Sequence, residues 1–529
     1  VSLEDLVARL GGGHQMLDDL RSARSEHGAV RVLDEDEAAR RARMPLAAAH
    51  GAASYYADFQ GRQGRRHVRV CEGTACFVAS GGGRHLSEVA GVLGVEPGQC
   101  AADGSVSLQA VRCLGYCYAG PAALDGEVAC AGTDLAGQLA GTHPRGAPDI
   151  PALAVARPVL LDAMDEWVMW PRILPDGGGA RVLREVAASG LRGRGGAGFP
   201  TAGKWASVAA APEGPRFVVA NGDEGDPGSF ADRLLMERYP ARVLEGLALA
   251  GLACAATRGF VYVRSEYPAA FESMCRAVAR ARALGHLGSG VFDAEVVRGA
   301  GSYVAGEETG LLRALAGLRA TVRARPPYPS THGYLGQPTA VNNLETLASV
   351  PAIVANGGAT YAGHGRPPET GTLLVCLNER FARPGAYEVE LGTSVRTIVD
   401  DVGGGLRAGL RLAALQVGGP LGGFLAPHEL DVALLDSALA EAGVALGHGG
   451  LVAVDDRVDA AALTGHLWEY AAKESCGACT PCRETTGLGV RDPDAAAPYL
   501  DAMAQASLCA FGRNVPRAVR SLRRAMGIT

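Results

Sequence analysis

The sequence predicts a multidomain α/β protein, and three observations carry that prediction. At 529 residues the chain exceeds what one ordinary core holds, so several domains of ~100 to 200 residues each are expected. Short β runs such as Arg216 to Ala220 and Gly259 to Val263 alternate with helical patterns, as they do where crossover helices cover a sheet. Glycine (73) and proline (29) supply many turns in a chain that is 48% hydrophobic, a composition of compact, loop-rich enzymes rather than of disorder.

Residues 1–60 read as helical. Leu3, Leu6, Val7 and Leu10 recur at helix spacing, and Ala38 to Phe59 forms a second apolar-striped segment, but neither suffices as a core. The strand-like run His67 to Val70 leads into Cys71 and opens a small α/β domain over residues 61–145, which closes on a linker from Thr142 to Pro148. A larger α/β domain follows over 155–370. A compact mixed domain over 371–455 carries turn signals at Gly403 to Gly405 and Gly418 to Gly423, and residues 456–529 are mostly helical in pattern.

A net charge of -6 supplies no basic field for nucleic acid. Val1 to Leu10 carries Glu4 and Asp5 and lacks the order of a secretory signal, and apolar stretches such as Leu247 to Ala256 fall short of the ~20 residues that span a bilayer. A soluble, cytoplasmic protein is expected, in which the 13 cysteines serve metals or catalysis rather than disulfides.

The densest chemistry lies near the end. Cys476, Cys479 and Cys482 form C-x2-C-x2-C, which sets three thiolates around one loop, and Cys509 can close a fourth corner from elsewhere. Four thiolates are the ligand set of a [4Fe-4S] cube; structural zinc also takes four, more often from two separated knuckles. A second set pairs Cys71 with Cys76 and Cys113 with Cys117. Two pairs from two loops suit the two irons of a [2Fe-2S] rhomb, with zinc again the alternative. Cys100, Cys130, Cys254, Cys275 and Cys376 belong to no motif and read as buried small hydrophobes.

Gly193-Arg194-Gly195-Gly196-Ala197-Gly198-Phe199 satisfies G-x-G-x-x-G, a pattern that lets backbone N–H groups approach phosphate oxygens. It follows a predicted helix, Val182 to Ala188, rather than a strand, which disfavours a conventional dinucleotide fingerprint and leaves a plain glycine loop as the alternative. Asn221-Gly222-Asp223-Glu224-Gly225-Asp226-Pro227-Gly228 follows a predicted strand. Its carboxylates stand where α/β proteins bind ligands and can accept bonds from ribityl or ribose hydroxyls, unless the segment is only an acidic turn. Gly306-Glu307-Glu308-Thr309 and Asn342-Asn343-Leu344-Glu345-Thr346 add polar clusters, and Tyr328 rides on the stiff loop Arg325 to Pro329.

Taken in order, these segments resemble the flavoprotein of the NADH-dehydrogenase module shared by respiratory complex I, NAD-reducing hydrogenases and soluble NAD-dependent formate dehydrogenases. The resemblance covers nearly the whole chain. Residues from about 155 to 529 look like the FMN- and NADH-binding subunit. Residues from about 38 to 140, with Tyr55-Tyr56-Ala57-Asp58-Phe59 ahead of Val70-Cys71 and Cys113-Leu114-Gly115-Tyr116-Cys117, look like the [2Fe-2S] subunit, here fused in front. The resemblance implies a thioredoxin-like [2Fe-2S] domain, a Rossmann-like FMN/NADH domain, a ubiquitin-like β-grasp domain and a C-terminal four-helix bundle holding the [4Fe-4S] cluster.

The resemblance also implies roles. Gly193, Arg194, Gly195, Gly196 and Gly198 would cradle FMN, with Lys204 reaching the region between cofactor and substrate. Asn221, Asp223 and Glu224 would bind the ribityl and phosphate portion, and Asn342, Asn343 and Thr346 would complete the pocket with Tyr303 and Gly306. Phe199 and Tyr328 would stack on the adenine of NAD(H), and Glu307 and Glu308 would lie near the nicotinamide or its ribose. A carboxylate beside the adenosine ribose would favour NAD over NADP, with Glu308 or Asp226 as that group. Asp226 stands where the family commonly carries Glu, Arg325 where Lys is frequent, and Ser207 where a further aromatic can occur; the gap from Cys482 to Cys509 is shorter than usual. No side-chain acid or nucleophile is required, because hydride passes between nicotinamide and flavin. The expected setting is the diaphorase subunit of a formate dehydrogenase. Its partners would be a molybdenum- and iron-sulfur-containing alpha subunit and a small thioredoxin-like [2Fe-2S] gamma subunit; a NAD-reducing hydrogenase is the runner-up, followed by a complex I-type NADH dehydrogenase subunit and, remotely, a non-catalytic zinc-binding scaffold.

Overall fold

The computed structural model describes residues 13–155, 157–162, 166–176, 178–212, 214–288 and 290–528, so the repeat from Leu3 to Leu10 lies outside it. Helices His14–His27, Val32–Arg41 and Leu46–Ala53 come first. They bury Met16, Leu17, Leu20, Ala49, Ala52 and Tyr56 against Val219, Phe260, Tyr262, Leu311 and Leu315 of the larger α/β unit, so this apolar stripe borrows its core from a sheet more than 150 residues away. The Tyr56 hydroxyl ties the contact by donating to the Leu318 carbonyl at 2.7 Å.

Four strands build the first sheet: β1 (Arg66–Cys71), β2 (Val106–Val111), β3 (Ala122–Asp125) and β4 (Val128–Ala131), in the order β2-β1-β3-β4. β1 pairs in parallel with β2 and antiparallel with β3, and β1 and β2 both end at loops that carry cysteines. After the connecting segment, β5 (Ala152–Ala154) joins a distant sheet, pairing in parallel with a strand near residue 386.

The larger α/β unit is built on β6 (Phe217–Gly222), β7 (Arg258–Val263), β8 (Asp293–Arg298) and β9 (Thr339–Asn343), all parallel and ordered β8-β7-β6-β9. The chain runs outward from β6 through β7 to β8 and then returns to the other side of β6. That reversal creates a crevice at the carboxyl ends of β6 and β9, the place where open parallel sheets bind ligands. Helix Pro240–Cys254, which contains most of the apolar run from Leu247, is buried almost all round. Its close neighbour is helix Leu344–Asn356: a Cβ on Gly246 would run into the Leu347 carbonyl oxygen, so only glycine fits there.

A two-stranded hairpin, β10 (Gly365–Arg366) and β11 (Glu369–Thr370), leads into the third sheet. Its later strands are β12 (Thr372–Leu377), β13 (Gly385–Glu390), β14 (Leu412–Val417), β15 (Phe424–Leu425) and β16 (Gly450–Asp455), and with β5 at the edge the order is β15-β14-β16-β12-β13-β5. The inner face packs Leu373, Val375, Leu377, Val389, Leu415, Val417 and Leu451 into one core. Helices Ala460–Glu474, Thr480–Arg491, Leu500–Ala506 and Ala510–Met526 form the final unit, with Trp468, Met503, Val515 and Val519 inside. Among the described residues no helix is long and apolar enough to cross a membrane.

Candidate functional site

The segment Asn221–Gly228 comprises the last two residues of β6 and the loop that leaves it at the crevice, and it is held from both sides. Asn221 donates from Nδ2 to the Gly306 carbonyl at 2.8 Å and accepts from its own loop, at the Asp223 N–H, at 3.2 Å. Asp223 Oδ2 is buried with no partner among the described residues, and burial pushes this carboxyl well above the ordinary range. An orphaned acceptor of this kind suits a ligand hydroxyl. Glu224 is different. Its oxygens accept from Ser229 Oγ at 2.6 Å, from the N–H groups of Asp232 and Arg233 at 3.1 Å each, and from the Tyr267 hydroxyl at 3.2 Å, so it caps helix Ala231–Arg238 and offers a ligand charge rather than a free acceptor.

Across the crevice lies the glycine loop. It follows helix Gly179–Ser189 and precedes helix Thr201–Ala209, so it joins two helices, in keeping with a pattern not preceded by a strand. Its inner face must stay bare: a Cβ on Gly195 would sit 3.1 Å from Asn343 Cβ, and Gly198 takes a left-handed φ of 58°. The Arg194 N–H donates to Thr346 Oγ1 at 2.9 Å, but its guanidinium turns away to Tyr361 and the Thr370 carbonyl, at 3.0 Å each. Asn342 accepts from Trp205 Nε1 at 2.8 Å. Asn343 caps helix Leu344–Asn356 and donates to both Asp232 oxygens, at 2.9 and 2.7 Å. Bare backbone, an unpaired buried carboxylate oxygen and a ring of amides fit a flavin nucleotide's phosphate and ribityl chain.

The outer rim is cationic and aromatic. Phe199 and Tyr328 are 54% and 57% exposed, so their rings are open to a planar ligand. Lys204 Nζ reaches Glu308 at 3.2 Å and the Val341 carbonyl at 2.8 Å. Arg325 spans both acids, 3.1 Å from Glu307 and 2.6 Å from Glu308. Glu307 also caps helix Glu308–Leu315, accepting from the N–H groups of Thr309 and Gly310 at 2.9 and 3.1 Å. Glu308 is thus the more available of the two, held by two cations that a ligand can displace.

Both thiol sets assemble. Cys71 ends β1, Cys76 sits on helix Thr74–Ala79, and Cys113 and Cys117 flank a loop whose sulfurs lie 3.5 Å apart; all four are at most 2% exposed. Cys113 has a φ of 51°, a strained conformation for a residue with a Cβ. The Gly228 N–H donates to Cys117 Sγ at 3.3 Å, which joins this set to the crevice loop. Cys476, Cys482 and Cys509 are buried and Cys479 is half-buried. Cys479 and Cys509 take the N-cap positions of helices Thr480–Arg491 and Ala510–Met526, so both stand at the positive ends of helix dipoles, an arrangement suited to an anionic cluster. Burial pushes the Cys482 thiol up to about 12 and the Cys509 thiol up to about 11. Of the unpatterned cysteines, Cys130, Cys254 and Cys376 are buried, as expected, whereas Cys100 and Cys275 are only half-buried.

An aromatic bridge links crevice and cube. Tyr303 donates to Asp226 Oδ1 at 2.6 Å, and its ring lies 5.6 Å from that of Tyr470 and 5.5 Å from that of Phe511, two residues beyond Cys509. Spacing and motif arithmetic single out neither Tyr470 nor Phe511, nor Asp232 and His448, which face the glycine loop from other elements. Their neighbours in sequence carry no pattern.

Fold and site together define an electron-transferring oxidoreductase component of the flavin and iron-sulfur class. Three family models match: Nuo51 FMN-binding domain over residues 186–352, thioredoxin-like [2Fe-2S] ferredoxin over 10–132, and NADH-ubiquinone oxidoreductase-F iron-sulfur binding region over 462–526. The chain is 41% identical over 327 residues to a NADH-quinone oxidoreductase subunit of Rhizobium meliloti (strain 1021), covering 58% of this chain and 78% of that protein. It is 39% identical over 361 residues to the NADP-reducing hydrogenase subunit HndC of Solidesulfovibrio fructosivorans, covering 65% and 74%. A crystal structure of a NAD+-reducing [NiFe]-hydrogenase in the H2-reduced state superposes with a TM-score of 0.87 at 32% identity, over 97% of this chain and 92% of the other. The chain belongs to the family of NADH-quinone oxidoreductase subunits that carry the Nuo51 FMN-binding domain, extended in front by a thioredoxin-like [2Fe-2S] domain. It is an NAD(H)-dependent FMN and iron-sulfur oxidoreductase subunit.

Proposed function

We propose that the crevice between the glycine loop and Asn221–Gly228 holds FMN, and that the rim formed by Phe199, Lys204, Glu308, Arg325 and Tyr328 takes NAD(H). The buried, unpartnered Asp223 Oδ2 at the switch point of the parallel sheet carries this reading. Bound FMN would exchange hydride with the nicotinamide and single electrons with clusters. The chain's own part is positioning. Glycines at 193, 195, 196 and 198 keep the cradle open to phosphate, Asn221 fixes the Asp223 loop, and Asn343 fixes the wall. Lys204 and Arg325 hold Glu308 in reach of a ribose until the nucleotide arrives. Cys476, Cys479, Cys482 and Cys509 would hold the cube, and Cys71, Cys76, Cys113 and Cys117 the rhomb. In this reading the units run over 61–145, 155–370, 371–455 and 456–529, with 1–60 in front.

In this reading the chain serves a complex whose partner oxidises formate, with electrons leaving as NADH; the shared order of motifs with soluble formate dehydrogenases supports it. A hydrogenase partner is the second reading, favoured by the 97% coverage of this chain in the [NiFe]-hydrogenase comparison. Affinity purification of the tagged chain from its native cell, followed by metal analysis, tests the choice. Co-purifying molybdenum with formate-dependent NAD+ reduction supports the first reading; nickel with hydrogen-dependent reduction replaces it with the second.

A further inference from the structure

His448 lies in the loop before β16, far along the chain from the glycine loop, yet its ring faces that loop: Nε2 is 3.5 Å from where a Cβ on Gly195 would stand. A ring nitrogen of His448, a carboxylate oxygen of Glu224 and one of Asp232 all lie within 4.8 Å of one another. The two carboxylates are buried, while His448 keeps part of its surface open. Asn343, which packs under Gly195, is bonded to the same Asp232, and Ser229 bonds both Glu224 and, at 3.4 Å, the His448 carbonyl. Burial acts to lower the imidazole's proton affinity, but Asp232, Asp226 and Glu224 outweigh it and hold that affinity above the ordinary value. Glu345 faces Asp232 from the neighbouring helix and is itself neutralised by burial, with its carboxyl raised to about 8.

We propose that His448 is the positively charged positioning residue of the flavin cradle, set beside Gly195 and within 4.8 Å of Glu224 and Asp232. This rests on the assignment of FMN to the crevice. Glu224 and Asp232 lie beside His448 there, and burial raises the carboxyls of Asp223, Asp226 and Asp232. Reduction by hydride adds negative charge to the bound flavin, and the buried carboxyls offer nothing to offset it. A cation on the same wall favours it. His448 therefore stabilises the reduced over the oxidised flavin.

The test is redox titration of FMN in the reconstituted full-length chain, for the wild type, His448→Asn and His448→Lys, with FMN dissociation constants and bound zinc measured on the same samples. His448→Asn is expected to retain oxidised FMN but to lose about tenfold in relative affinity for reduced FMN, a fall of ~30 mV in the two-electron midpoint. His448→Lys is expected to recover most of it, which a merely structural role would not do. An unchanged midpoint in His448→Asn with FMN bound overturns the proposal. So does one equivalent of tightly held zinc that disappears with His448, since the trio would then be a metal site. A wild type that binds no FMN at all refutes instead the assignment of the crevice.

Discussion

Buried carboxylates set the chemistry at the scale of single residues, and Glu345 offers a clean measurement. Its Oε1 accepts from the Leu374 N–H at 3.0 Å, and burial raises the carboxyl from 4.5 to about 8. Between those pH values the folded protein holds a proton that the unfolded chain has lost, so this group's contribution to stability falls as pH rises from 4.5 to about 8 and is then constant. Glu345→Gln keeps the acceptor and removes the proton equilibrium. Its melting temperature is expected to exceed that of the wild type by an amount that grows from pH 5 to 8 and then levels, on the order of a few kcal/mol in stability; a gap independent of pH would contradict the assignment. Cys482 tests the division of labour. Cys482→Ser is expected to abolish the cube's spectroscopic signature and electron delivery beyond the flavin, while NADH still bleaches the flavin. Loss of both together would show that cube and flavin are not separate stations.

Among the elements, helix ends carry the site. Glu307 caps helix Glu308–Leu315 and braces Arg325, so Glu307→Ala is expected to cost about 1 kcal/mol of local stability. Hydrogen exchange at the N–H groups of Thr309 and Gly310 should quicken roughly fivefold; unchanged exchange there would mean that the cap does not hold the helix. The elements that the sequence made legible were those with strong local signals. β1 ends at Cys71, the glycine loop follows a helix, and the acidic turn follows a strand that runs two residues further than expected, to Gly222, because β-branched runs, glycines and cysteine spacings are all local patterns. What stayed hidden depends on long-range pairing. Nothing near Ala152 announces that β5 closes the edge of a sheet whose partner strand begins at Gly385, and nothing near His448 announces Gly195. Nothing near Glu224 in sequence likewise announces that its oxygens accept from the first N–H groups of helix Ala231–Arg238.

For the whole molecule, the loop Asn221–Gly228 is the junction. Through Gly228 it touches the Cys117 sulfur, through Asp226 and Tyr303 it meets the aromatic bridge to Cys509, and through Asn221 it closes on Gly306. The thiol-bearing units thereby meet the parallel sheet at one crevice, which is why the order of motifs along the chain carries more information than any one of them. The most direct measurement is anaerobic reconstitution of the full-length chain with FMN, iron and sulfide, followed by visible and electron paramagnetic resonance spectra before and after stoichiometric NADH. The account predicts one bound FMN that bleaches on NADH addition, together with iron and sulfide sufficient for one [4Fe-4S] and one [2Fe-2S] cluster and a paramagnetic signal from reduced iron-sulfur. A protein that binds zinc at both thiol sets, holds no flavin and leaves NADH unoxidised would contradict it.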